Sequence, residues 1–167
     1  PPQDFPASAN AQVPAITLAR KRIFKKYRSV VKAGNRISES SDDRMLHVLR
    51  IHCKKLRYLM EFFASLFHSE TMNRLIEQLK KLQDNLGDFN DLRVQEEYLL
   101  TIAKQLPVRR RQSEKVFLAI GSLVGALAGD RKIIRNAFAE TFAEFSAPAN
   151  KELFQTLFAA QTSLSDP

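Results

Sequence analysis

Residues 43–67 read DRMLHVLRIHCKKLRYLMEFFASLF, and this stretch decides the fold. Wound at about 100° per residue, it places Met45, Leu49, Cys53, Leu56, Met60 and Phe63 in one broad apolar stripe. Nearly opposite stand His47, Arg50, Lys54, Arg57 and Glu61, with Tyr58 beside them and Lys55 further round. One side of such a helix buries, and the other carries cations at i, i+3, i+7 and i+10. Neighbours in that row are one turn apart, about 5–6 Å, and repel one another. An anion lying over the row offsets the repulsion: arginine holds two phosphate oxygens in its planar fork, and lysine adds a mobile point charge. A neutral histidine donates one hydrogen bond, and a protonated one adds charge. His52 falls at the edge of the apolar stripe and reads as a packing residue.

Outward from this helix the pattern stays helical. Ile23, Tyr27, Val30, Val31 and Gly34 mark a helix over about 16–37. Ser40, Ser41, Asp42 and Asp43 form a break, and one of the two aspartates caps the next helix. After the helix at 43–67, a third is expected over about 70–86. Gly87 reads as its left-handed end and Asp88 as the cap of a fourth helix reaching Leu106. Pro107 restarts the chain. Helices at 108–128 and 130–146 follow, separated by Gly129 and Asp130, and Pro148 precedes a short last helix at 150–161. Only 5 glycines occur in 167 residues, and no strand or hairpin signal competes. The expected fold is all-α: an antiparallel bundle of six or seven helices. Residues 1–15, with four prolines, read as a disordered leader or linker. Residues 16–162 read as the helical domain.

The formal net charge is +8 and the pI about 9.8, which points to an anionic partner: nucleic acid, a phosphate polymer or an anionic membrane. The charge is concentrated. Residues 20–36 hold eight Lys/Arg and no acid, and residues 44–61 and 104–115 hold five Lys/Arg and one acid each. Arg22, Lys25 and Lys26, with Lys32 behind them, are expected to form the second wall of a groove beside the His47 helix. Lys80, in the third helix, is expected to approach the same face. Arg109, Arg110 and Arg111 read as a solvated charge run. Asn90 and Asp91 read as a cap, or as a brace for an arginine of the His47 helix. The single cysteine, Cys53, allows no internal disulfide and fits a reducing, cytoplasmic setting. No apolar run reaches the ~18 residues of a membrane span.

Enzyme readings find little. His47 and His52 share no helical face for a metal, and neither a C-x-x-C nor an H-E-x-x-H spacing occurs. No G-x-x-x-x-G-K-S/T loop is present to cradle a nucleotide. The expectation is a non-catalytic domain without metal or cofactor. An RNA- or DNA-binding domain using the same cations is the alternative, with Tyr58 the main aromatic near them. A phosphohistidine-transfer module is less favoured, because Ile51 and Leu56 stand where a cation four residues after each histidine is wanted.

Two segments carry a family resemblance. LHVLRIHCKKLRYLMEFF (46–63) and LKKLQDNLGDFNDLRV (79–94) closely resemble the CHAD family, the conserved histidine α-helical domain. The first reads L-H-x-L-R-I-x-x-K-K-L-R-Y-x-x-E-F-F and the second L-x-x-L-Q-D-x-L-G-x-x-N-D. The chain resembles the second of that family's two related halves. The resemblance implies an all-helical fold whose basic surface binds inorganic polyphosphate. It places the family's histidine on His47 and its basic positions on Arg50, Lys54, Lys55 and Arg57. It further implies association with polyphosphate granules and a neighbouring triphosphate-processing domain. Residues 1–43 hold no counterpart of the His47 motif, so the complete surface needs either a missing first half-domain or a second copy.

Overall fold

The computed structural model describes residues 13–106 and 111–159. Among them the chain forms five α-helices and one 3-10 turn, and no strand. The helices are α1 (Ala15–Gly34), α2 (Asp43–Phe62), α3 (Ser69–Gln105), α4 (Arg111–Ser146) and α5 (Pro148–Phe158), with the 3-10 turn at Ala64–Leu66. No helix is long and apolar enough to cross a membrane. Residues 1–12 of the expected leader, Pro107 and the Arg109–Arg110 pair lie outside the described residues, as does the side chain of Arg111.

The all-α expectation holds, and the helix count is lower than expected for one reason repeated twice. Gly87 does not end a helix: α3 runs unbroken for 37 residues, about 55 Å. Gly129 and Asp130 do not separate helices either: α4 runs unbroken for 36. An interior glycine costs about 1 kcal/mol relative to alanine. Burial of a leucine or phenylalanine contributes about 1.5–3 kcal/mol. Leu82, Leu86 and Phe89 are buried on both sides of Gly87, so continuing the helix outweighs the local cost. Beyond Gly129, Phe138, Phe142 and Phe145 are buried and anchor α4 in the same way. The helix expected to reach Phe67 instead ends at Phe62 and tightens into the 3-10 turn.

α1, α2, the first half of α3, the second half of α4 and α5 enclose one core. From α2 it takes Leu46, Leu49, Cys53, Leu56 and Met60. Leu46, not Met45, carries the start of the stripe, and Phe63 is partly buried. Burial pushes the Cys53 thiol up to about 12, so this sulfur stays protonated and unreactive. Tyr27 stacks on Phe154 with ring centroids 3.9 Å apart, which locks α5 against α1. Gly34 is required where α1 ends: a Cβ there would collide with the Phe142 ring. Asp42 caps α2, accepting the Arg44 backbone N–H at 2.7 Å. Asp43 takes another role, accepting from both Arg131 and Arg135 of α4. Arg135 also donates to the Glu39 and Ser41 carbonyls. The break between α1 and α2 is thus clamped onto α4.

α3 and α4 also pack against each other. Asn85 donates to the Ile134 carbonyl at 3.0 Å, and Arg131 pairs with Glu96 at 3.1 Å. In the outer half of α4, Gly121, Gly125 and Gly129 stand four residues apart with open space where a Cβ would be.

Candidate phosphate-binding groove

α2 lies between α1 and α3, and its cations divide between its two flanks. On the α3 side a groove of about 370 Å³ is lined by Arg50, Lys54, Arg57 and Tyr58 of α2. Its other wall is α3: Gln83, Asp84, Gly87, Asp88 and Asp91. The row read from the sequence is therefore a real surface feature. The wall opposite it is acidic, and it is not α1.

The cations are not consumed by that wall. Among the described residues, neither Arg50 nor Lys54 forms an ion pair. Arg57 meets only Glu61, one turn along, at 3.8 Å. A partly exposed pair of that length and spacing contributes at most about 0.5 kcal/mol, so a phosphate oxygen can displace it. Tyr58 is 51% exposed. Lys54 Nζ stands 5.7 Å and the Arg57 guanidinium carbon 5.6 Å from its ring centroid. The ring draws two cations together by its quadrupole and presents them at the lip of the groove.

His47 sits at one end of the row. Its Nδ1 is 3.2 Å from Asn90 Oδ1 of α3. With the amide oxygen accepting, Nδ1 carries the proton and Nε2 is the nitrogen left to meet a ligand. Asn90 is therefore neither a cap nor a brace for an arginine. It lies inside α3 and orients the histidine, and its amide donates to Asp91 at 3.4 Å. Beyond His47 a second recess of about 350 Å³ adds Arg44, Arg93 and Arg131, mixed with Asp42, Asp43, Glu96 and Glu97. Sequence reading missed Arg44, although its place three residues before His47 was a usable signal. Arg93 and Arg131 are brought in by tertiary packing alone, and both are paired with carboxylates.

The other flank of α2 faces α1. There Lys26 and Lys55 crowd His52, whose pKa is lowered by burial first and then by those two charges. His52 Nδ1 is buried without a hydrogen-bond partner. Arg22 and Lys25 are exposed on α1. Arg22, Lys25, Lys26 and Lys55 thus place further positive charge on α1 and on the α1 flank of α2, and none of them lines the α2–α3 groove. Lys80 is exposed on α3, one turn before Gln83 and Asp84, and is not among the groove-lining residues. Among the described residues no three His, Cys, Asp or Glu side chains are grouped to hold a metal ion.

No curated protein matches the chain by sequence. The family model of the CHAD domain matches residues 2–100, more than half of the chain, spanning α1, α2 and most of α3. The helices that carry the basic row and its acidic counterwall both fall inside that match, and the chain belongs to the CHAD domain family.

Proposed function

We propose that this domain binds inorganic polyphosphate without chemically altering it, on the outer face of α2 and the lip of the α2–α3 groove. The observation that carries the reading is the row Arg50, Lys54 and Arg57, one turn apart and free of strong internal ion pairs. The family's link to polyphosphate supports it. Arg50 and Arg57 offer forks to successive phosphates, Lys54 bridges them, and His47 closes the end of the row. Lys55, with Lys26, Arg22 and Lys25 of α1, continues the positive surface away from the acids of α3. The polymer tracks this outer side, because Asp84, Asp88 and Asp91 repel it from the groove floor. Cytoplasmic polyphosphate is the natural ligand in this reading, and a granule surface its natural setting.

Binding is dominated by charge pairing and counterion release. A site contacting about six charges gives a log–log salt slope of roughly −4, by analogy with single-stranded nucleic acid. Longer chains bind more tightly, because they span more of the surface. Titration of the R50A/K54A/R57A variant tests the assignment. Hydrogen bonds to charged groups contribute about 1.5–3 kcal/mol each, so the triple loss weakens polyphosphate binding by about two orders of magnitude or more. Helix content stays unchanged, since none of the three is in the core. Parent-like binding by this variant would falsify the site.

A nucleic-acid reading draws on one observation, the exposed Tyr58 beside the cations. Base stacking contributes about 1–3 kcal/mol per base on an open aromatic face, and here that ring already interacts with Lys54 and Arg57. Competition decides between the two. Single-stranded RNA at equal phosphate concentration displaces polyphosphate only weakly if the polyphosphate reading holds.

A further inference from the structure

A second groove, on the far side of α1, has the chemistry of a different ligand. It lies between α1 and α5, measures about 470 Å³, and takes no lining residue from α2 or α3. From its composition we infer that it binds a small oxyanion with a flat or aliphatic body, such as an aryl phosphomonoester.

Charge is the first argument. Each wall contributes one cation, Arg28 from α1 and Lys151 from α5, and no carboxylate lines the groove. Neither cation forms an ion pair among the described residues. This is the reverse of the α2–α3 groove, where three aspartates face the cations. A single anionic head between Arg28 and Lys151 meets attraction from both sides. Arg28 offers a fork for two oxygens and Lys151 a point charge.

The neutral groups are the second argument. The amides of Asn35 and Gln155 line the groove and can donate. Tyr27 lines it too, and is held rigidly: it is 4% exposed and stacked on Phe154. Burial raises its phenol above the ordinary value, so the hydroxyl remains a donor at physiological pH. Donors fixed by core packing lose little freedom when they bind.

The floor is the third. Phe24 and Val31 are half-buried members of the groove's lining. A bare phosphate chain gains nothing from them, whereas an aromatic or aliphatic body does, at about 25 cal/mol per Å² covered. The volume falls within the ordinary range for small-molecule sites, about 300–1,000 Å³.

Phenyl phosphate, benzoate and inorganic phosphate, each titrated into the full chain and followed by backbone amide shifts, test the site. Phenyl phosphate is expected to move Asn35, Ser146, Lys151 and Gln155, with at least ten-fold higher affinity than inorganic phosphate. Benzoate at the same residues widens the class to carboxylates, and its silence restricts it to phosphomonoesters; either result keeps the site. The R28A/K151A variant loses at least ten-fold in phenyl phosphate affinity and keeps its polyphosphate binding. The R50A/K54A/R57A variant does the opposite, so this proposal and the polyphosphate reading fail separately. Gln155→Glu supplies a second probe, since a carboxylate placed in the groove must also weaken the ligand. Undiminished affinity in R28A/K151A, or shifts confined to α2, overturns the inference, as does equal affinity for phenyl and inorganic phosphate.

Discussion

The two walls of the α2–α3 groove are built from similar amphipathic helices and carry opposite charge. α2 offers Arg50, Lys54 and Arg57; α3 offers Asp84, Asp88 and Asp91. Yet no ion pair joins them within 4.0 Å. Direct neutralisation would have fixed the cations in place and hidden them from any ligand. Held apart, the acids lower the local potential and leave the cations geometrically free. Of the two walls only α2 can attract a polyanion, and in the proposed reading the acidic wall sets how strongly and where the polymer is held. At about 0.15 M salt the screening length is about 8 Å, comparable to the spacing between packed helices, so the acids still act across the groove.

Removing the acidic wall tests this division most strongly. The D84N/D88N/D91N variant keeps side-chain size and should bind polyphosphate about tenfold more tightly at low salt, with a steeper salt slope. Unchanged affinity in a salt titration would show that the polymer lies beyond the reach of α3. A smaller effect is expected where the walls touch. His47→Ala should weaken binding several-fold, and Asn90→Ala less, by releasing the histidine from its orientation. Their effects should be non-additive in a double-mutant cycle, because Asn90 acts only through His47. Full additivity would separate the two residues. Smaller again is Gly87→Ala. Nothing stands near a Cβ at this position, so the helix gains up to about 1 kcal/mol. The added methyl intrudes on the groove, and polyphosphate affinity falls by no more than about twofold.

The smallest effect belongs to the other flank of α2. His52 takes up a proton less readily in the fold than in the unfolded chain, because of burial and then Lys26 and Lys55. The unfolded state therefore binds more protons as pH falls through the ordinary histidine range, near 6.5. Stability contributed by neutral His52 is present above that range and lost as pH falls below it. Thermal melts of His52→Gln should show a slightly flatter dependence between about pH 7 and 5 than the parent. A slope identical to the parent's would remove His52 from the acid response.

Much of this was legible in the sequence, for reasons that differ by residue. The α2 row could be read because its spacing is a property of one helix, and packing cannot alter it. The breaks at Gly87 and Gly129 were misread because local propensity was weighed without the burial on either side. Leu86 and Phe89 decide the first case, and their partners lie on other helices. The second wall of the groove was assigned to α1 because α1 is the most basic segment. Which flank of α2 each neighbour covers is a matter of tertiary packing, as is the clamp between Asp43 and the arginines of α4, a contact across 88 and 92 residues of sequence. Asn90 was noticed for its capping chemistry, and only the pairing of α2 with α3 reveals that it serves His47. The groove between α1 and α5 left no local signal at all: Arg28 and Lys151 become neighbours only through the stack of Tyr27 on Phe154.

The three glycines of α4 carry a further consequence, for how the molecule opens. Gly121, Gly125 and Gly129 together cost the helix about 3 kcal/mol relative to alanine. Among the described residues, the only buried side chain in that half of α4 is Ile120, against Phe138, Phe142 and Phe145 in the other half. One continuous rod thus joins a loosely held outer span to a tightly held inner one. Amide hydrogens between 116 and 129 should trade with deuterium by local unwinding, long before those between 138 and 145, which wait for the whole domain to unfold.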